Sequence, residues 1–296
     1  MKRYRALVVF ACLIIVVDGG ILAVRSRDRA RPLSTAAAVT RFRAEAGTRA
    51  ATSSTTSTMP VTSTAVRAIA SAPRTDARAG AAPAPVTSPR PPEASLPAEG
   101  VYVYATSGSE YVDVLGGTRH QYPPETTITV KHEGCGMRDR WDALRARWDA
   151  RGYCATERGL TVKEVVAHHE FYGRADERTF VCDAGAIANP RDAKPGETWT
   201  TVCRSDDAVG ATQVGVIGYE ELVIGGARVA TFHFHSLTTL TGAQRGTQEY
   251  DDWMVRDTSL LVRRVSSGDV RSKSPIGTAH YQEHFELYLK SLAPRT

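Results

Sequence analysis

Alternation of apolar and polar residues dominates the chain from residue 100 onward, and it predicts a β-rich domain. Gly225-Gly226 separates two long runs, residues 212–224 and 227–241, and two glycines suit the type I′ turn of a hairpin. The last run alternates without a break and places on one face Tyr281, Glu283, Phe285, Leu287 and Leu289. About a dozen strands with no helices between them favour one antiparallel sheet, curved or closed into a half-barrel.

Residues 137–153 fit two interpretations. Trp141, Leu144 and Trp148 recur at a spacing of three and four, as on one face of a helix. The same segment can form two strands that turn near Arg145. We favour the hairpin, because Cys135 and Cys154 would then bracket it.

An apolar stretch at the start of the chain predicts a membrane segment. Residues 6–24 are close to the length that a bilayer core requires, and Lys2, Arg3 and Arg5 precede them. The alternative is a cleaved signal peptide, which has the same basic start and apolar run. We therefore assign residues 1–25 to a membrane anchor or signal and favour a retained transmembrane helix.

Residues 26–99 form the predicted linker. Ala, Thr, Ser, Pro and Arg dominate the segment, and Phe42 is its single aromatic residue. Such a composition buries too little apolar surface to offset the entropy lost on ordering, so the linker is predicted to be disordered. A short helix over residues 36–46 would have little to pack on. The folded domain is predicted to span residues 100–296.

The basic charge belongs to the N-terminal part of the chain. Residues 1–25 carry four basic and one acidic residue (+3), and residues 26–99 carry ten and five (+5). Residues 100–296 carry 23 and 26 (−3), which gives the total of +5. The domain thus lacks the basic excess that phosphate contacts need, which argues against nucleic-acid binding.

Four cysteines lie in the predicted domain: Cys135, Cys154, Cys182 and Cys203. An even number of cysteines after a signal-like segment predicts disulfides and an oxidising compartment. Three pairings can be drawn, and bridges between neighbours in sequence need the least chain excursion. Zinc is disfavoured because there is no Cys-x-x-Cys. Arginines flank the apolar stretch on both sides, so the cysteines decide the predicted location: a single-pass cell-membrane protein with its domain outside the cytoplasm.

Histidine and acidic side chains supply the candidate catalytic or metal-binding residues. His233 and His235 share one face of a predicted strand, and His168 and Glu170 share a face of another. Such sets can bind a metal or act as acid and base, but solvated strand faces explain them better. The sequence has no nucleophile elbow, P-loop or dinucleotide fingerprint. We predict no cofactor and favour a protein that is not an enzyme.

Short segments of the domain resemble an uncharacterised family of actinobacterial exported proteins. They are GVYVY (100–104), LGGTRH (115–120), YP (122–123), CG (135–136), RWD (140–142), PGETW (195–199) and SPIG (274–277). The resemblance implies an N-terminal anchor, a low-complexity spacer and a β-rich domain, and it implies no activity. The strand order is more distantly similar to carriers of the LolA and mycobacterial lipoprotein type, which hold lipid in a half-barrel.

Three functions follow as hypotheses. The first is a membrane-anchored domain outside the cytoplasm that binds an envelope component, either a lipid or a cell-wall-associated partner. The second is a structural module that presents its domain to another membrane protein. The third is a metal-dependent enzyme that uses His233, His235 and His168. A cavity inside the sheet would favour the first, and a solid core with an exposed apolar patch would favour the second.

Overall fold

The computed structural model describes residues 30–53, 96–274 and 277–296, which contain one α-helix and fourteen strands. The helix, α1, spans Thr35–Ser53. The strands are β1 (Gly100–Val112), β2 (Thr118–Gln121), β3 (Glu125–Glu133), β4 (Gly136–Leu144), β5 (Arg147–Thr156), β6 (Gly159–Phe171), β7 (Arg174–Cys182), β8 (Ile187–Pro190), β9 (Thr198–Arg204), β10 (Ala208–Ile224), β11 (Ala227–Gly242), β12 (Gln244–Val255), β13 (Leu261–Ser274) and β14 (Gly277–Leu289). The predicted membrane segment, residues 6–24, lies outside the described residues. Within them no helix has the length and apolar character that a membrane span requires.

Twelve of the strands form a closed antiparallel barrel. Neighbours follow the order β14-β13-β12-β11-β10-β9-β7-β6-β5-β4-β3-β1, and β1 pairs with β14 to close the circle. Strand β2 adds to β1, and β8 adds to β6. The prediction of a mainly β antiparallel sheet is confirmed, but the half-barrel is wrong. Alternation along each strand reports which face is buried, whereas closure depends on pairing between the first and last strands.

Closure requires a glycine in β1. Gly108 lies opposite Phe285 of β14 and has a φ of 125°. A Cβ at this position would lie 2.1 Å from the carbonyl oxygen of His284. Only glycine combines this backbone conformation with so close an approach of two strands. The residue therefore lets β1 and β14 pair over nine residues, from Tyr104↔Leu289 to Val112↔Tyr281.

Residues 137–153 form the hairpin of β4 and β5, so the strand interpretation is confirmed. Trp141 lies on the inner face of β4 and is buried, at 3% exposure. Trp141 and Leu144 share the inner face because a bulge between Asp142 and Leu144 shifts the register by one residue, whereas Trp148 lies on the outer face and stacks on His168. A helical and a strand periodicity can therefore both be found in this short segment, and the flanking cysteines favoured the strand interpretation.

Large side chains fill one end of the barrel. The inner face of β14 contributes Phe285 and Leu287, which are almost fully buried as the alternation predicted. The Trp141 ring packs 4.3 Å from the Phe285 ring, between centroids. The rest of this main core includes Tyr102, Tyr104, Ile128, Met137, Leu261 and Val262. The start of β1, the end of β14 and the β3–β4 and β12–β13 turns lie at this end, which we call the packed end.

Helix α1 differs from the disordered linker predicted over its residues. Ala38 and Phe42 are buried against Val101 of β1, at 0% and 9% exposure. Arg41 donates two hydrogen bonds to the carboxylate of Asp142 on β4. The composition suggested that a helix here would have little to pack on, but the outer wall of the barrel supplies the apolar surface. Residues 26–29 and 54–95 of the linker lie outside the described residues.

The barrel is weakest between β7 and β9. Only Val181↔Arg204 and Cys182↔Cys203 are paired there, and the second pair is a disulfide. The other disulfide joins Cys135 to Cys154 beside the long ladder of β4 and β5. Both bridges join nearest neighbours in sequence. Disulfides persist in oxidising compartments, so they indicate an exported protein.

Candidate ligand-binding cavity

The barrel encloses a cavity of about 590 Å³ at the end opposite the packed end. Barrels of about eight strands are just filled by their side chains, so a twelve-stranded barrel leaves space unless large residues occupy it. Here small residues point inward: Ala167, Gly210, Ser236, Thr238 and Ala279. Larger apolar side chains form most of the wall: Val165, Phe171, Phe180, Phe234, Leu240 and Val270. The volume is in the range of pockets that hold a small organic ligand.

Two left-handed residues shape the mouth of the cavity. Leu115, in a short 3-10 turn after β1, has a φ of 50°, and Tyr172, in the β6–β7 turn, has a φ of 54°. The Tyr172 hydroxyl donates a hydrogen bond to the carbonyl of Val114, 2.8 Å away. Both residues line the cavity. Strained backbone of this kind is retained where surrounding contacts hold it, often at binding sites.

Polar side chains interrupt the apolar wall about halfway along the depth of the cavity. Arg264 of β13 donates two hydrogen bonds to Asp252 of β12, at 2.6 and 2.7 Å. The Arg264 guanidinium also lies 5.0 Å from the centre of the Tyr250 ring. Arg151 of β5 faces the same Tyr250 ring at 5.6 Å. Two arginines, an aspartate and a tyrosine thus form a polar region in a mostly apolar wall, and all four line the cavity.

A second polar cluster is buried beside the cavity and centres on Arg147, which is 1% exposed. Its guanidinium donates to Glu283 at 3.0 and 3.2 Å and to Asp149 at 2.6 and 2.9 Å. Tyr122 donates a further hydrogen bond to Glu283. Burial disfavours the arginine cation, but Asp149 and Glu283 outweigh this and raise the pKa of Arg147. The cluster is therefore held as charged pairs.

Glu110 of β1 completes the buried cluster and connects it to the cavity. Its Oε1 lies 2.8 Å from His120 Nδ1, and its Oε2 accepts a hydrogen bond from Tyr281 at 3.0 Å. His169 Nδ1 lies 3.5 Å from the same Oε2. Burial opposes ionisation of Glu110, but its contacts with His120 and His169 outweigh burial and lower its pKa to about 2. His169 and Tyr281 also line the cavity, so this carboxylate is one side chain away from it.

The predicted pair His233 and His235 lies outside the barrel on β11. His233 stacks on Trp253 with ring centres 4.1 Å apart. Its two ring nitrogens contact Glu220 at 2.7 Å and Asp251 at 2.9 Å. His235 Nδ1 lies 3.3 Å from the same Asp251 oxygen. The pair therefore belongs to a ladder of polar side chains across the outer face.

His168 and Glu170 share the outer face of β6, as the alternation predicted. The His168 ring stacks on Trp148 at 5.0 Å and its Nδ1 contacts Glu177 at 3.2 Å. Strands β7, β9 and β10 separate β6 from β11, so the three histidines of the metal-enzyme hypothesis do not come together. Within residues 30–53, 96–274 and 277–296, no three His, Cys, Asp or Glu side chains are arranged to hold a metal ion.

Sequence reasoning chose the outward histidines and missed the inward residue between them. His169, which lies between His168 and Glu170 in the sequence, is the one that faces the interior. One signal could have directed attention inward. Glu283 occurs on the apolar face of β14, and a charged residue at a core-facing position requires a partner inside the barrel. That partner, Arg147, is more than a hundred residues away and cannot be found from spacing.

Comparisons with known proteins do not identify the chain. No protein-family model and no curated protein matches it. Among solved structures, the chain is similar to the hypothetical lipoprotein YmcC from Escherichia coli (K12), at 14% identity. The match covers 64% of this chain and 86% of that chain, with a TM-score of 0.31. A score this low assigns neither fold nor function, and the resemblance to actinobacterial exported proteins stays a prediction.

Proposed function

We propose that the protein is an exported, non-enzymatic binding protein that holds an apolar component of the cell envelope, of the lipid class, inside its barrel. The observation that carries this proposal is the cavity of about 590 Å³, lined mainly by apolar side chains and open at one end of the barrel. Burial of a hydrocarbon chain against such a wall is favourable by about 25 cal/mol for each Å² removed from water.

The hydrogen bonds made by the polar residues of the cavity wall favour binding over catalysis. Asp252 is held by two hydrogen bonds from Arg264, and Asp176 by Arg178 at 3.2 Å. These carboxylates are engaged in the wall as partners of arginine and do not stand free in the cavity. These pairs hold the wall in shape and orient a ligand.

Location supports a ligand from the envelope. Two disulfides indicate an oxidising compartment. The predicted membrane segment, residues 6–24, would keep the barrel close to a bilayer, and the predicted linker after residue 53 would let it reach away from the surface. Lipids are the most abundant apolar molecules in that setting. The cavity also distinguishes this proposal from the structural-module hypothesis, for which we expected a solid core.

The proposal is tested by filling the cavity. Thr238 lines the cavity, and its neighbour Thr239 lies on the opposite, exposed face of β11. Thr238→Trp places a large indole side chain inside the cavity. Thr239→Trp places the same side chain on the outer face of the barrel. Native mass spectrometry of the full-length chain, followed by solvent extraction, measures the bound ligand. We expect bound lipid in the wild type and in Thr239→Trp, and at least about tenfold less in Thr238→Trp.

A long-chain fluorescent fatty acid provides a second measurement on the same three proteins, so that loss of ligand during purification does not affect the result. Binding that is equal in Thr238→Trp and the wild type would overturn the proposal. So would wild-type protein that neither carries lipid nor binds the probe.

A further inference from the structure

Arg151 is the feature of the cavity that the proposed function leaves unexplained. It lies in the middle of β5, with Asp139 of β4 opposite it on one side and Val165 of β6 on the other. Its side chain points into the barrel and lines the cavity at the level of Tyr250 and Arg264. An arginine at this depth loses water contacts, and its guanidinium has five N–H donors that need acceptors.

The neighbouring carboxylates are occupied by other donors. Asp252 receives two hydrogen bonds from Arg264. Asp139 lies 3.4 Å from the Tyr153 hydroxyl and also accepts a hydrogen bond from the backbone N–H of Arg151. Among the described residues, the Arg151 guanidinium makes no side-chain hydrogen bond and no ion pair within 4 Å; it interacts electrostatically with Tyr153, Asp139 and Asp252 and lies 5.6 Å from the centre of the Tyr250 ring. Its donors therefore face the cavity.

The charge of the cavity wall has the opposite sign to that of the domain. Five cationic residues line the cavity: Arg151, Arg174, Arg178, Arg264 and Lys273. Two acidic residues do so, Asp176 and Asp252, which gives +3 with histidine neutral. Residues 100–296 as a whole carry −3. Arg174 and Lys273 lie near the mouth and also lack side-chain partners among the described residues, so the potential favours entry of an anion.

We propose that the ligand carries an acidic head group, a carboxylate or a phosphate, and that Arg151 binds it while the apolar part of the ligand fills the rest of the cavity. A planar guanidinium matches either group with two parallel hydrogen bonds. This inference rests on the proposed function and specifies its ligand as an anionic amphiphile.

The test compares three probes of one chain length: a long-chain carboxylic acid, its methyl ester and the corresponding alkyl phosphate. Each is titrated into the full-length wild-type chain. We expect at least one of the two anions to bind about tenfold or more tightly than the ester, since a charged hydrogen bond to arginine contributes that much. The acid and the phosphate together show which head group the site accepts.

Variants at position 151 show which residue is responsible. Arg151→Met is expected to weaken binding of the preferred anion to the level of the ester, with ester binding unchanged. Arg151→Lys retains the charge without the paired donors and is expected to fall between the two. Arg228→Met is the control, because it removes an exposed arginine on the outer end of β11. Arg151→Lys and the wild-type comparison keep the test valid if Arg151→Met does not fold.

The outcomes separate the two proposals. If acid, phosphate and ester bind equally, or if Arg151→Met weakens all three alike, the acidic head group is overturned while the cavity remains a binding site. If none of the three binds the wild type, the proposed function itself fails.

Discussion

Arg147 shows how a buried charged residue finds partners inside the barrel. Its side chain is almost inaccessible, yet four hydrogen bonds to Glu283 and Asp149 satisfy most of its donors. The cluster lies beside the cavity and ties β5 to β14, which occupy distant positions in the sequence. Charged contacts of this kind fix the relative position of two strands that do not pair with each other.

Replacement of Arg147 is predicted to be strongly destabilising. Arg147→Met removes the cation and leaves Glu283 and Asp149 buried without their main partner. We expect a loss of about 3–5 kcal/mol in the free energy of unfolding, measured by denaturant titration. Arg228→Met breaks an exposed ion pair with Glu221 and is expected to change it by about 1 kcal/mol or less. Equal effects of the two substitutions would contradict the role given to the cluster.

Glu110 gives the stability of the protein a defined pH dependence. Folding lowers its pKa from 4.5 to about 2, so the folded state binds this proton more weakly than the unfolded chain. Glu110 therefore stabilises the fold above pH 4.5 and loses this contribution as the pH falls toward 2. Between about pH 6 and about pH 3, we expect Glu110 to account for about 2 kcal/mol of the decrease in unfolding free energy.

Glu110→Gln tests that assignment, because the amide cannot titrate. Unfolding free energies of the variant should fall less steeply with acid than those of the wild type, and Glu157→Gln, in the exposed β5–β6 turn, should follow the wild type. A pH profile of Glu110→Gln that is parallel to the wild type would show that the carboxylate is not responsible.

At the scale of the residue, the sequence predicted orientation better than role. Alternation placed His233, His235, His168 and Glu170 on outer faces, and the structure agrees. The residues that line or support the cavity were not recognised, because Arg151 and Glu110 look like ordinary strand positions until the barrel closes. Asp251-Asp252 makes the same point. One aspartate contacts His233 outside and the other binds Arg264 inside.

Among the elements, the junction of β7 and β9 depends most on a covalent link. Two residue pairs hold the strands together, and Cys182–Cys203 is one of them. Cys203 also lines the cavity, so the bridge is part of the cavity wall. The Cys135–Cys154 bridge, in contrast, adds to a ladder that already joins β4 and β5.

Removal of each disulfide is predicted to have a similar global effect and a different local one. The bridges span 21 and 19 residues, so Cys182→Ser/Cys203→Ser and Cys135→Ser/Cys154→Ser should each lower the unfolding free energy by about 3 kcal/mol. Only the first pair should expose the amides of β7 and β9 to hydrogen exchange, because few other contacts hold that junction. Unchanged exchange in β7 and β9 would show that the junction is held in another way.

Hairpins were predictable at the scale of the element, and closure was not. Gly225-Gly226 joins β10 and β11 as its turn chemistry indicated, and the hairpin over residues 137–153 was resolved by its flanking cysteines. Helix α1 was expected to lack a packing surface. Its docking depends on Val101 of β1 and Asp142 of β4, and neither contact can be seen in the composition of residues 26–99.

At the scale of the whole molecule, the number of strands and the distribution of large and small side chains create the cavity. Twelve strands enclose more space than the large side chains at the packed end can fill, and small residues at the other end leave the cavity empty of protein atoms. The disulfides place the barrel in an oxidising compartment. A binding protein with its ligand inside the barrel accounts for the cavity, its apolar wall and the donors of Arg151 together.

The measurement that tests this account most directly is a diffraction experiment on crystals of the protein soaked with a long-chain carboxylic acid that carries bromine at the end of its chain. The account predicts an anomalous bromine signal inside the barrel, with the carboxylate within hydrogen-bonding distance of the Arg151 guanidinium. Bromine bound only to the outer face, with an empty cavity, would contradict it.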